Sequence, residues 1–215
     1  MKIKLLLPLS IFFMIFTTSY SQEDGFSNIS STDVVKERLI EHSESTNSIE
    51  SNFIQEKQLW MLNEVIVSEG IFLFKKDNSV RWQYNTPIEY TIIIHNGKFT
   101  IINSDKVSEF DIDSNPMFRE INKMIVTAIR GDFINNPDFS AIFKENSDQY
   151  LVELSPKNER VRTMLSSINI YFDKASMQVE KVIFKEPGDD FTSIIFKDKK
   201  VNTDIPDSKF ISSSK

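Results

Sequence analysis

Gly70 to Pro87, GIFLFKKDNSVRWQYNTP, reads as two strands joined at a polar corner, Lys76-Asp77-Asn78-Ser79. Large apolar side chains recur at every second position: Phe72 and Phe74 on the way in, then Val80, Trp82 and Tyr84 on the way back. A period of two places each set on one face of its strand. Ile71 and Leu73 make the first strand apolar on its other face too, whereas Arg81, Gln83 and Asn85 make the second strand polar there. On the residues alone, an ordinary core is the first reading of these rings. The sharper one is the wall of a cavity that holds something apolar.

Working outward from this hairpin, the two-residue period persists. Phe53, Ile54, Leu59, Trp60 and Leu62 punctuate a polar run, SNFIQEKQLWMLNE, that reads as one long preceding strand, and Val65 to Lys75 completes the first arm of the hairpin. Glu89 to Ile94 follows, then the hairpin signal Asn96-Gly97, then strands at Lys98 to Ile102 and Lys106 to Phe110. Tight connections between successive strands require an antiparallel meander, because parallel pairs need long crossovers.

Helical periods appear in three places. Ser30 to Thr46 predicts a helix with Thr32 or Ser31 as cap and a narrow apolar face of Val35 and Leu39, lying across another element; Ser43 to Ser48 reads as polar linker. Ser114-Asn115-Pro116 starts a second helix, whose broad face carries Met117, Phe118, Ile121, Met124, Ile125, Ala128 and Ile129, and Gly131 stops it. Asn136-Pro137 starts a shorter helical piece with Phe139, Ile142 and Phe143. Strands resume at Gln149 to Leu154, Leu165 to Phe172, Gln178 to Lys185 and Phe191 to Lys197. Strands, helices, then strands again predict one α+β domain, a curled antiparallel sheet whose concave side the helix from Pro116 to Arg130 covers.

The first residues are an address. Lys2 and Lys4 precede an almost unbroken apolar run from Leu5 to Thr17, and Ser19-Tyr20-Ser21 supplies the small-x-small cleavage pattern before Gln22. Residues 1–21 are thus expected to be a signal peptide and 22–215 the exported domain. The chain has no cysteine, so export leaves it without disulfides and without a thiol to acylate. Loss of the two lysines takes the formal net charge from -6 to -8, which disfavours nucleic acid and anionic membrane as partners.

No catalytic constellation emerges. His42 and His95, the two histidines, lack motif-spaced partners and read as surface residues; without cysteine a zinc site is not expected. Asp111-x-Asp113-x-Asn115 imitates the start of a calcium loop, but Pro116 occupies the glycine place and Asn122 the place of the bidentate glutamate, so a helix cap accounts for it better. Asp189 and Asp190 after Pro187-Gly188 read as a solvated turn. No metal or cofactor is expected.

Several short patterns together resemble a known family. Phe53-x-Gln55-x-Lys57, Gly70-x-Phe72-x-Phe74-Lys75-Lys76, Arg81-Trp82-x-Tyr84-x-x-Pro87, Asn96-Gly97-Lys98, Leu154-x-Pro156 and Asn202-Thr203-x-Ile205-Pro206-Asp207-x-x-Phe210 resemble, in order and spacing, the periplasmic outer-membrane lipoprotein carrier family, LolA. The resemblance implies an incomplete antiparallel barrel with a helical lid over a hydrophobic cavity. It implies a periplasmic monomer that takes acylated lipoproteins from an inner-membrane ABC transporter and passes them to an outer-membrane receptor. The cavity would then be lined by Phe72, Phe74, Val80, Trp82, Tyr84, Met117, Phe118, Ile121, Met124 and Ile125, with methionine lending the lid plasticity. Where better-known members carry an arginine that bonds the lid, Lys76 stands here, without the planar guanidinium fork; it is the candidate latch.

The physical need for such a pocket is direct. Each CH₂ removed from water is worth ~0.8 kcal/mol, so one long acyl chain would cost roughly 10 kcal/mol to hold in solution. Two other readings remain at this stage: a carrier of the same fold for another lipid or glycolipid, and a secreted hydrolase of apolar substrates, which the absence of a nucleophile–base motif disfavours.

Overall fold

Alternation of large apolar and polar side chains builds nearly the whole molecule. The computed structural model describes residues 25–76, 78–103, 106–112, 134 and 136–212. Among them the first elements are β1 (Ser27–Asn28), α1 (Asp33–Ser45), β2 (Ser48–Leu59), β3 (Glu64–Lys75) and β4 (Ser79–Thr86). Next come β5 (Tyr90–His95), β6 (Lys98–Asn103), β7 (Lys106–Asp111), β8 (Phe139–Glu145) and β9 (Gln149–Pro156). A short α2 (Glu159–Arg162), β10 (Ser167–Asp173), β11 (Val179–Lys185) and β12 (Phe191–Val201) follow, and a 3₁₀ turn at Asp207–Phe210 ends the chain of elements.

The strands form one twelve-stranded sheet in the order β1-β8-β9-β10-β11-β12-β2-β3-β4-β5-β6-β7, antiparallel at each described pairing. It is curled but not closed, with β1 and β7 as its edges. This is the α+β curled sheet expected from the strand pattern. The chain meanders from β2 to β7 and again from β8 to β12, and the pairing of β12 with β2 joins the two runs.

The hairpin at Gly70 has the register that its alternation demands, with Phe72 opposite Trp82 and Phe74 opposite Val80. Asn96 and Gly97 both have positive φ, 49° and 74°, as a two-residue hairpin turn that follows the strand twist requires. Gly70 answers a different need. Phe53 pairs with it on β2, and a Cβ at Gly70 would lie 1.9 Å from the Gln83 carbonyl oxygen and 2.8 Å from the Phe53 ring. Only glycine lets the ring and both strands approach this closely.

Both faces of β3 are covered, which explains its double hydrophobicity. Phe72 and Phe74 face inward with Val80, Ile94 and Phe99. Leu73 faces outward, where Ile205 and Phe210 of the C-terminal segment pack on it together with Ile93. That segment is held by Arg81, whose Nη1 donates to the Lys209 carbonyl at 3.0 Å, and by a Lys75–Asp207 ion pair. His95 stacks on Phe210 and shares a 2.7 Å hydrogen bond with Ser79 Oγ, so it is a tethered residue of this outer layer and not a free surface histidine.

Four expectations need correction. The segment after Asn136-Pro137 is the strand β8, not a helix: Phe139, Ile142 and Phe143 mimic a helical spacing, but Phe139 and Phe143 share one face of a strand and pack on the aliphatic cluster that includes Val152. The long run through Leu62 does not continue as strand. It ends at Leu59, and Trp60–Leu62 form a 3₁₀ corner whose side chains are exposed, Met61 to 94%. Helix α1 extends to Ser45 through most of the expected linker, and Thr32 sits at its start without a side-chain cap bond. Helix α2 was not anticipated; the Asn158 side chain accepts from the Arg160 N–H at 2.9 Å and starts it. The expected signal peptide at 1–21 and the expected lid helix from Pro116 to Arg130, with Met117, Phe118, Ile121, Met124 and Ile125, lie outside the described residues.

Candidate functional site

Where the two meanders meet, the described residues leave the concave side of the sheet unfilled. A cleft with about 880 Å³ of unfilled space, the open solvent at its mouth included, lies between α1 and the sheet. From the central hairpin it is lined by Phe72 and Trp82, and from β2 by Ile49. Val179, Val182 and Phe184 of β11 and Ile194, Phe196 and Val201 of β12 form the opposite wall. Leu39, His42 and Ser43 of α1, with Thr46 just beyond its end, roof it.

The aromatic wall is held by edge-to-face contacts. Trp82 lies 5.0 Å from Phe72 and 5.4 Å from Phe53 between ring centroids, and Phe196 lies 5.5 Å from Phe72. Edge-to-face pairs of this kind add about 0.5–1.5 kcal/mol each beyond area burial. The Trp82 indole nitrogen is buried and finds no hydrogen-bond partner among the described residues. An unpartnered donor of that type costs about 1–3 kcal/mol.

The residues expected to line a cavity separate into two sets. Phe72 and Trp82 line it. Phe74, Val80 and Tyr84 stand on the same inner face but are packed into the cluster beside it and do not line the cavity described here. Tyr84 stacks on Tyr90 at 4.2 Å and donates to Gln55 Oε1 at 2.9 Å. Burial first, and the neighbouring Tyr90 second, push its phenol far above the ordinary range, so it stays protonated. Gln55 of the quoted Phe53-x-Gln55-x-Lys57 pattern therefore satisfies a buried hydroxyl.

Among the described residues, helix α1 lies over the cavity. Val35 and Leu39 are buried against Val152, Leu154, Ile168 and Ile170. The last turn of α1 is bonded to the central hairpin: Lys76 Nζ donates to the Glu44 carbonyl, and Lys76 N donates to the Asn47 carbonyl at 2.8 Å. The same corner is tied to the C-terminal segment through Asn202, whose Oδ1 accepts from Asn47 N at 2.7 Å and whose N–H donates to the Ser48 carbonyl at 2.9 Å. Lys76 thus bonds the end of α1 beside the cavity.

Sequence reasoning missed most of the second wall. The period of two at Val182 and Phe184, and at Ile194 and Phe196, could have found four of its residues. His42 was read as a surface residue, yet it lines the cavity. Its pKa is lowered by burial and then by the charge of Lys199, so its neutral form is favoured. Lys199 lines the cavity as well, and burial lowers its pKa against the opposing pull of Glu180 and Asp173. No group of three or more His, Cys, Asp or Glu side chains that could hold a metal ion appears among the described residues.

Comparison with curated proteins returns no match. Among solved structures, MucB resembles the chain at 10% identity with a TM-score of 0.50, over 86% of this chain and 64% of MucB. A LolA superfamily protein from Nitrosomonas europaea, 10% identical, aligns over 82% of this chain and 97% of its own with a TM-score of 0.45. Lipoprotein LppX of Mycobacterium tuberculosis, 9% identical, aligns over 80% and 96% with a TM-score of 0.46. At such identities the MucB likeness is one of fold. The family profile described as outer membrane lipoprotein carrier protein LolA matches residues 44–213, from the end of α1 to beyond Phe210, and the chain belongs to that family.

Proposed function

We propose that this chain is a periplasmic carrier that shields the acyl chains of lipoproteins on their way from an inner-membrane ABC transporter to an outer-membrane receptor. The supporting observation is the apolar cavity under α1, walled by Phe72, Trp82, Phe184 and Phe196, in a member of a family described as lipoprotein carriers. Its lining suits capture by area burial, without directional bonds along most of its length, so cargo of varied chain length can enter and leave. The carrier performs no chemistry on its cargo.

The test uses the full chain purified from periplasm without detergent. Mass spectrometry of co-purifying material should find acylated lipoprotein, and adding an acylated peptide to delipidated protein should shift or quench Trp82 fluorescence. Trp60, the other tryptophan, is exposed at the β2–β3 corner; Trp60→Phe should retain the response and Trp82→Phe should lose it. A co-purifying glycolipid in place of lipoprotein would keep the fold's carrier role and replace the cargo. A Trp82 spectrum indifferent to saturating acylated peptide would overturn the proposal.

A further inference from the structure

The cavity is apolar except where the end of α1 meets the start of β11, and the side chain that enters there is a cation. Ile194 and Phe196 line the cavity from β12. Continued alternation would bring Asp198 to the same face next. It does not, because the pairing of β12 with β2 shifts register between Lys197 and Lys200, and Asp198 has a φ of +53°. Asp198 is turned to the outside, where it accepts from Asn52 Nδ2 at 3.0 Å. Beyond the shift, Lys199 and Val201 face the cavity. A bulge that costs a left-handed aspartate here re-aims a lysine into an apolar wall.

The ammonium placed there is only partly engaged. Lys199 Nζ donates to the Val179 carbonyl at 2.9 Å, which leaves two of its N–H groups. It makes no ion pair among the described residues. Glu180 and Asp173, the acids that act on its charge, are committed elsewhere: Glu180 Oε2 accepts from Gln149 Nε2 at 2.7 Å, and Asp173 Oδ1 accepts from Ser176 N at 2.7 Å. His42 and Gln178 line the cavity beside it. A half-buried cation without a contacting carboxylate, in a chain of net negative charge, disfavours its own charged state unless an anion arrives.

We propose that Lys199, with Gln178 and His42 beside it, receives the anionic headgroup, a carboxylate or a phosphate, of an amphiphile whose acyl tail lies along Phe196, Phe72 and Trp82. The inference rests on the carrier reading of the cavity and adds a polarity to it: tail towards the aromatic wall, anion at the β12 bulge.

Displacement of the neutral probe N-phenyl-1-naphthylamine from the delipidated full chain tests this with three ligands of one tail length, dodecanoate, dodecyl phosphate and dodecanol. The wild-type protein should bind at least one anion about ten-fold more tightly than the alcohol, and which anion leads identifies the headgroup. Lys199→Met, which keeps the stem's apolar packing, should remove that preference while leaving dodecanol affinity in place, and Lys199→Arg should retain it. Equal affinity for acid, phosphate and alcohol in the wild type, or a preference that survives Lys199→Met, would overturn the headgroup site and leave the carrier reading standing. Failure of all three ligands and the probe to bind would overturn both.

Discussion

The two halves of the sheet meet at the cavity, yet they are held together by different means. From β2 to β6 the inner face is aromatic, and Phe53, Phe72, Trp82 and Tyr84 support one another through ring contacts. From β8 to β12 it is mainly aliphatic, and Val152, Leu154, Ile168 and Ile170 are closed off by Val35 and Leu39 of α1. The aromatic half is stabilised by neighbouring strands, most of them adjacent in sequence. The aliphatic half depends on a helix that precedes all of its strands from β8 onward and reaches them only through tertiary packing. Among the described residues, then, one wall is braced by ring contacts within the sheet and the other is covered by a thirteen-residue helix.

The comparison breaks most readily at Gly70. Gly70→Ala places a Cβ 1.9 Å from the Gln83 carbonyl oxygen, so β3 and β4 must part or the Phe53 ring must leave. Because β3 lies inside the sheet, the expected loss is about 3 kcal/mol or more, measured by denaturant midpoint, with the meander from β2 to β6 losing hydrogen-exchange protection first. Unchanged stability would mean that the aromatic half is more plastic than the contact distances require.

Leu39→Ala addresses the other half. Leu39 is 2% exposed and contributes both to the aliphatic core and to the cavity roof. Truncation should cost about 2–5 kcal/mol and enlarge the cavity, with faster exchange in α1 and in β9 and β10 than in β3 and β4. Equal loss of protection in both halves would show them to be one cooperative unit and erase the distinction.

The smallest effect is expected at Lys76, which joins the two halves by donating from the hairpin corner to the Glu44 carbonyl at the end of α1. The side chain is exposed, and an exposed charged contact contributes about 0–1 kcal/mol. Lys76→Leu should therefore leave the denaturant midpoint nearly unchanged while speeding exchange in the last turn of α1 and lowering cargo retention. Lys76→Arg should slow that exchange. Wild-type exchange and retention in both variants would remove the latch.

The sequence by itself determined the strands with clear alternation, because a period of two in Phe, Trp, Ile and Val says which face is buried whatever the partner is. It determined the Asn96-Gly97 turn, because the two positive φ angles it needs are a local property of those residues. It also carried the family resemblance, whose Asn202 proves to bond the junction of α1 and β2 and whose Phe210 packs on the central hairpin. Other features were decided only in three dimensions. Phe139, Ile142 and Phe143 fit a helix and a strand equally well by spacing, and β9 settles the matter by offering a strand edge and an aliphatic surface. His42 looks like a surface histidine in a polar helix until α1 is laid over the sheet. Lys199 follows an acidic residue in a run of charges, KDKK, and nothing local marks it. The bulge that turns it inward comes from a mismatch of register between β12 and β2, where the hydrogen-bonded Asn52 and Asp198 are 146 residues apart in the chain, and register is a property of the pair.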